Sequence, residues 1–175
     1  VSGYVVRDPS PVASNWRARR SLEDELIASG VVGVRDIDTR ALTRHLRDRG
    51  AMRVGIFSGE AAAAPEAELV QRVLAAPPMA GRDLTGDVSV SEAYVVPALG
   101  EERYVVAAVD LGIKSMTPHR MAERGIEVHV LPATATLDDV KAVGPDGLFY
   151  SNGPGDPAAT THQVEVLRSA LAEGI

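Results

Sequence analysis

The sequence from residue 104 to residue 112 reads Tyr-Val-Val-Ala-Ala-Val-Asp-Leu-Gly, an apolar run followed by a turn. A short continuous apolar run bounded by turn residues indicates a strand that is buried on both faces. Two more strands are predicted at residues 126–131 and 147–150, and three helices over roughly residues 116–124, 136–140 and 161–172. This alternation of strands and helices predicts a parallel sheet covered on both faces, in a flavodoxin-like α/β fold.

The chain before residue 97 has a less regular pattern. Ser21 is a good N-cap for a helix with an acidic first turn that ends near Gly30, and Thr39 is predicted to cap a second helix that ends at Gly50. The remaining patterns predict strands over residues 3–7, 31–34, 52–57 and 88–96, a helix over residues 65–74 and a loop over residues 76–86. We therefore expect a small mixed N-terminal domain.

The change of pattern near Pro97 predicts the domain organisation. Residues 1–97 form the N-terminal domain, residues 98–103 the linker and residues 104–175 the α/β domain. The chain starts in strand-like sequence without an initiating methionine and stops where a new apolar strand would begin. Both ends are therefore expected to be cuts through a longer protein.

Composition excludes several classes of function. The net charge is -6, which argues against a nucleic-acid or anionic-membrane partner, because either would require a basic face. The absence of cysteine excludes disulfides and thiolate metal sites. No apolar run approaches the length of a membrane span and no signal-peptide pattern is present, so a cytoplasmic location is expected.

The loop after the third strand of the α/β domain reads Ser151-Asn-Gly-Pro-Gly-Asp-Pro157. It follows the carboxyl end of a buried parallel strand, where open α/β sheets bind ligands. Two glycines around a proline allow close approach of the backbone, and such a loop suits an oxyanion hole built from backbone N–H groups. Composition alone leaves open a plain tight turn. A phosphate-binding loop is less favoured because its glycine and lysine spacing is absent.

The run from Gly147 to Pro157 resembles the signature loop of the class I, triad-type glutamine amidotransferases. Three other segments resemble the small subunit of carbamoyl-phosphate synthetase: residues 13–17, residues 36–44 and the turn at residues 109–114. These similarities are ordered along essentially the whole chain. The chain is therefore identified as a member of that small-subunit family, as an internal fragment.

The resemblance implies a specific chemistry. A cysteine thiolate, activated by a histidine that a glutamate orients, attacks the side-chain amide of glutamine. Ammonia then passes to a large partner subunit, which uses ATP, Mg and bicarbonate to make carbamoyl phosphate for arginine and pyrimidine synthesis. The small subunit itself is expected to hold no cofactor and no metal. By resemblance, the backbone of Gly153 forms part of the oxyanion hole, and Gly153 and Gly155 contact glutamine.

The resemblance also implies that the catalytic cysteine, histidine and glutamate lie outside these residues. The 175-residue polypeptide is therefore predicted to have no glutaminase activity. Two alternatives remain open. One is another triad-type amidotransferase, which would lack the segment from Asp36 to Arg44, and the other is a non-catalytic binding module that retains the loop. A cysteine in the downstream motif of the parent gene would favour the enzyme.

Several other residues are considered as functional candidates. Asp36 and Asp38 have the spacing of a carboxylate metal pair, but an acidic helix N-terminus explains them better. Lys114 follows the first turn of the α/β domain and either faces the ligand edge or is solvated. Trp16 is a core or interface anchor, and Arg40 and Arg44 are candidates for a domain or partner contact. The four histidines are expected to be structural: His45, His119, His129 and His162.

Overall fold

A computed structural model describes residues 2–175, which form two compact units divided between Pro77 and Pro78. This division differs from the predicted one, because residues 78–97 belong to the second unit rather than to the first. The reason is a strand pairing: the strand Tyr94–Val96 joins the sheet of the second unit, and Val96 is buried there. A pairing between distant segments leaves no local signal in the sequence.

The first unit combines two short parallel strands with three helices. Strand β1 (Gly3–Val5) pairs in parallel with β2 (Val32–Val34). The helices are α1 (Leu22–Ala28), α2 (Thr39–Arg49) and α3 (Glu66–Ala75). Every side chain from residue 2 to residue 77 keeps part of its surface exposed. The fully enclosed cores of the described residues therefore lie in the second unit.

The helix ends of the first unit test the predicted caps. Ser21 caps α1 as predicted, and its side chain accepts the Asp24 N–H at 3.1 Å. The predicted cap of α2 is wrong by one residue. Asp38, not Thr39, is the N-cap, because its carboxylate accepts the Ala41 N–H at 2.9 Å while Thr39 is already helical.

One predicted strand is absent from the described residues, and the others predicted before residue 97 are shorter than predicted. Residues 52–57 pair with no other segment of the described chain, so the predicted strand there is wrong. Of residues 88–96, only β3 (Tyr94–Val96) is extended and paired. An apolar run becomes a strand only where a partner strand satisfies its backbone N–H and C=O groups.

The second unit contains the predicted α/β sheet. Strands β4 (Tyr104–Val109), β5 (Ile126–Leu131) and β6 (Gly147–Tyr150) have the predicted bounds and run parallel. The order is β3-β5-β4-β6, with β3 antiparallel at one edge. Its parallel part places the first strand between the second and the third, which is the start of a flavodoxin-like sheet and confirms the predicted fold class.

Helices cover both faces of this sheet. They are α4 (Met116–Ala122), α5 (Leu137–Val143) and α6 (Thr161–Ala172). On one face, α4 packs its buried Ala122 against a cluster that contains Val128 and Val130. On the other, Val140 of α5 and Val166 of α6 pack with Leu131. Since β4 and β6 are parallel neighbours inside these layers, the loops that follow them emerge side by side at the same edge.

The N-terminus of α5 has a complete capping box. The Thr136 hydroxyl accepts the Asp139 N–H, and the Asp139 carboxylate accepts the Thr136 N–H at 2.8 Å. Thr136→Ala is expected to lower the free energy of unfolding by about 1 kcal/mol, because a helix N–H loses its acceptor. Urea unfolding measures this difference. Ser169→Ala, at an exposed position of α6, is the control, and equal stabilities of the two variants would contradict the prediction.

In residues 2–175, no helix combines the length and the apolar character needed to cross a membrane.

Candidate functional site

The loops after β4 and β6 lie next to each other at the carboxyl edge of the sheet. A cavity of about 420 Å³ opens beside them, between the β6 loop and α6. Its lining is mainly apolar and comes from the segment before β3, the two loops with the end of β6, and α6. The lining residues are Thr85, Leu111, residues 150–154, Pro157, Thr160, Gln163, Val164 and Leu167. The predicted loop therefore forms one wall of a cavity, at the place where α/β sheets bind ligands.

Asp110 organises the loop after β4. Its side chain is buried, and one carboxylate oxygen accepts the N–H groups of Gly112 at 2.8 Å and Ile113 at 2.7 Å. The other oxygen accepts the Val90 N–H at 2.9 Å, which ties the segment before β3 to this loop. Burial, and secondarily the charge of Asp110, raises the pKa of the Tyr94 hydroxyl. Asp110 was not among the predicted site residues, although an aspartate shortly before a turn glycine is a local signal for such a side-chain turn.

Ser151 connects the two loops. Its side chain is buried, and its hydroxyl oxygen accepts the Leu111 N–H at 2.9 Å while its hydroxyl proton is donated to the Asn152 carbonyl at 2.9 Å. The backbone N–H of Ser151 also donates to the Val109 carbonyl at 3.2 Å. Ser151 was predicted only as part of the loop, because its contact with Leu111 spans 40 residues of sequence and leaves no local signal.

Gly153 is held against the neighbouring loop. A Cβ atom at this position would lie 2.0 Å from the Leu111 carbonyl oxygen, a distance no side chain tolerates. Among the described residues, the Gly153 N–H donates to no acceptor, and Gly153 lines the cavity. The loop therefore exposes a free backbone donor where its close approach to Leu111 requires glycine.

Gly155 is constrained by a different contact. Its φ is +92°, and a Cβ atom would lie 2.5 Å from the Arg82 carbonyl oxygen. Gly155 forms an antiparallel bridge with Asp83. The N–H of the next residue, Asp156, donates to the Arg82 carbonyl at 2.8 Å. Both predicted site glycines thus stand where the backbone comes too close to its neighbours for a side chain.

Asp156 fixes the far end of the loop. One carboxylate oxygen accepts the Gly81 N–H at 2.8 Å and the other accepts the Ala158 N–H at 2.9 Å. These two hydrogen bonds, that of Gly81 first, lower the pKa of Asp156 below the ordinary value of 3.8. The carboxylate therefore tethers Gly81 to the loop in its charged form.

This tether predicts a pH dependence. Because the pKa of Asp156 is lowered in the folded chain, the contact contributes fully at pH values above 3.8 and is lost as the pH falls through the lower folded value. We expect the NMR shift of the Gly81 amide proton to titrate with a midpoint below 3.8 and to lose this titration in Asp156→Asn. A midpoint at or above 3.8 would contradict the tether.

Two residues that line the cavity, Tyr150 of β6 and Gln163 of α6, each have a buried polar side-chain atom without a partner in residues 2–175. Gln163 is buried, and its amide nitrogen donates to the carbonyls of Ala133 and Ala135, the latter at 3.2 Å. Its side-chain oxygen and the Tyr150 hydroxyl have no partner among residues 2–175. Burial raises the pKa of Tyr150, so this hydroxyl stays protonated and able to donate.

None of the four histidines lines this cavity. His129 contacts Glu127 at 2.7 Å within β5, and His162 contacts the Ala135 carbonyl at 3.1 Å. His45 lies on α2 and His119 on α4.

The other candidates also lie outside the cavity beside Gly153. Asp38 is a helix cap, Asp36 has a left-handed φ of 65°, and residues 2–175 contain no group of three or more His, Asp or Glu side chains arranged to hold a metal. Trp16 is 86% exposed and stacks with Arg17, so it is not a core residue. Lys114 lines a separate shallow surface depression with residues of α4.

Comparisons with known proteins match both halves of the chain. Residues 1–56 match the family model of the carbamoyl-phosphate synthase small chain, CPSase domain, and residues 107–175 match that of the class I glutamine amidotransferases. The match to residues 1–56 does not support the alternative of another triad-type amidotransferase, since that alternative would lack the N-terminal segment.

Curated relatives agree with both matches. The carbamoyl phosphate synthase small chain of Streptomyces coelicolor is 67% identical over 99% of this chain and 46% of its own length. Those of Mycolicibacterium paratuberculosis and Mycobacterium tuberculosis are 57% and 54% identical, each over 100% of this chain and 47% of its own length. The chain thus spans about half the length of the curated relatives it matches. It belongs to the carbamoyl phosphate synthase small-chain family.

Proposed function

We propose that these residues are part of a glutamine-hydrolysing subunit and supply its oxyanion-hole loop. In this proposal the full-length small chain releases ammonia from glutamine and passes it to a large subunit. The large subunit binds ATP and Mg and uses bicarbonate to make carbamoyl phosphate for arginine and pyrimidine synthesis. The two subunits form a heterodimer in the cytoplasm, and the small chain requires no cofactor of its own.

The observation that carries this proposal is the free N–H of Gly153 at the wall of a cavity. Hydrolysis of an amide passes through a tetrahedral intermediate whose oxygen carries negative charge. A backbone donor in a rigid loop stabilises that charge without reorganising during the reaction. Three contacts support rigidity here: Ser151 to Leu111, Gly153 against Leu111, and Asp156 to Gly81.

The proposed mechanism divides the work between these residues and the rest of the small chain. A cysteine outside these 175 residues attacks the side-chain carbonyl of glutamine. A histidine, oriented by a glutamate, activates the cysteine. The Gly153 N–H donates to the oxygen as the tetrahedral intermediate forms, and Gly153 and Gly155 let the backbone approach glutamine closely. The 175 residues contain no cysteine, so we expect this polypeptide alone to release no ammonia from glutamine.

A reconstitution of the two full-length subunits tests the proposal. With glutamine as the nitrogen source, carbamoyl phosphate synthesis is expected to require the small chain. With ammonium salts, the large subunit is expected to work without it. If the small chain binds glutamine but releases no ammonia while the ammonium reaction proceeds, the chain is a binding module and the proposal is wrong.

A further inference from the structure

The orientation of one peptide group decides whether Gly153 can act as a donor. The peptide between Asn152 and Gly153 carries the Asn152 carbonyl at one end and the Gly153 N–H at the other. We infer that Ser151 is a positioning residue for glutamine hydrolysis, which it serves by fixing this peptide group. The inference rests on the proposed function and adds a residue to it.

The Ser151 hydroxyl holds two backbone groups at once. It accepts the Leu111 N–H at 2.9 Å and donates to the Asn152 carbonyl at 2.9 Å. The accepted bond fixes the oxygen, since Leu111 belongs to the turn that Asp110 braces through Gly112 and Ile113. With the oxygen fixed in this way, the hydroxyl proton is directed at the Asn152 carbonyl oxygen. Ser151 is 7% exposed, so water competes little for either bond.

The planarity of the peptide carries this restraint to Gly153. The peptide bonds of the described residues are trans, so the Asn152 carbonyl and the Gly153 N–H point in opposite directions. With the carbonyl held on the Ser151 side, the N–H is directed away from that side, and it donates to no acceptor in residues 2–175. Rotation of the peptide would break the hydrogen bond from Ser151. The serine therefore selects the orientation in which the donor is free for a ligand.

The chain offers a matched control for this bonding pattern. The Ser89 hydroxyl accepts a backbone N–H from a distant loop, that of Ala133 at 2.8 Å, and donates to the carbonyl of its own next residue, Val90, at 3.3 Å. Ser89 is partly buried in the same unit, but neither Ser89 nor Val90 lines the cavity beside Gly153. Ser89→Ala removes the same kinds of hydrogen bond without touching the Gly153 peptide.

The test compares Ser151→Ala, Ser151→Thr and Ser89→Ala in the full-length small chain assembled with its large subunit. For Ser151→Ala, we expect glutaminase kcat to fall about 10- to 100-fold with KM changed less than about threefold, since a misdirected oxyanion donor affects the transition state. Binding of the γ-aldehyde of glutamate, whose thiolate adduct carries the same oxyanion, should weaken by a similar factor. Ser151→Thr keeps the hydroxyl and should retain most of kcat, and Ser89→Ala should keep wild-type kinetics.

Distinct results would overturn the inference. Equal kinetics of Ser151→Ala and Ser89→Ala would do so, as would a rise in KM with kcat unchanged. If Ser151→Ala does not fold, Ser151→Cys replaces it, because a thiol fills the space but is a weak donor. Its kcat must then fall with KM retained. A wild-type complex that releases no ammonia from glutamine would overturn the proposed function, and the inference with it.

Discussion

Gly153→Ala is expected to reduce the glutaminase kcat of the full-length small chain by about 100-fold or more, the range seen when an oxyanion donor is lost. The reason is steric. The new Cβ would lie 2.0 Å from the Leu111 carbonyl oxygen and 2.9 Å from its carbon, and both are backbone atoms of a braced turn. The loop must therefore move away from Leu111, which carries the Gly153 N–H out of its position.

Steady-state ammonia release measures this effect. Gly147→Ala is the matched control, because a Cβ atom built at Gly147 meets no atom of the described residues within 4 Å beyond its chain neighbours, although this residue begins the strand that leads to the same loop. We expect Gly147→Ala to stay close to wild type. A Gly153→Ala variant with wild-type kcat would show that the N–H of this residue does not contribute to the reaction.

Asp110→Ala is expected to lower the free energy of unfolding by about 3 kcal/mol or more, since each buried backbone donor left unsatisfied costs about 1–3 kcal/mol. Asp110 is 2% exposed, and its carboxylate accepts three N–H groups, those of Val90, Gly112 and Ile113. Asp110→Asn should cost less, because the amide oxygen can still accept the bonds from Gly112 and Ile113. Its NH₂ group would face the Val90 N–H, so the cost should not vanish.

Urea unfolding of the full-length small chain measures both variants. Asp146→Ala is the control, since the exposed Asp146 carboxylate accepts one backbone N–H, that of Val105 at 2.7 Å. Its expected cost is within about 1 kcal/mol, as for a single hydrogen bond near solvent. If Asp110→Ala costs no more than Asp146→Ala, the carboxylate does not hold the turn together.

The sequence predicted the α/β sheet well because its strands are buried on both faces. β4 and β6 are continuous apolar runs, and β5 is apolar at four of its six positions, so the bounds of these strands could be read directly. Residues 52–57 have similar apolar content but no partner strand in residues 2–175, and pairing is not a local property. The same limit applies to β3, whose pairing with β5 moves residues 78–97 into the second unit.

The candidate site was predictable only where its signal is local. Gly153 and Gly155 stand in a loop whose glycines and proline mark it in the sequence, and both prove to be sterically required. The partners that require them, Leu111 and Arg82, lie in segments far along the chain. The bridging role of Ser151 likewise depends on Leu111, 40 residues earlier, so it emerges only once β4 and β6 are neighbours.

The most direct test of the oxyanion role is a crystal structure of the full-length small chain with the γ-aldehyde of glutamate bound at its catalytic cysteine. The adduct oxygen is expected to lie about 2.7–3.1 Å from the Gly153 nitrogen, the distance of a hydrogen bond to an oxyanion. The Asn152 carbonyl should remain bonded to Ser151. An adduct oxygen directed away from the loop, or a Gly153 N–H donating to a protein group instead, would contradict the proposed role of Gly153.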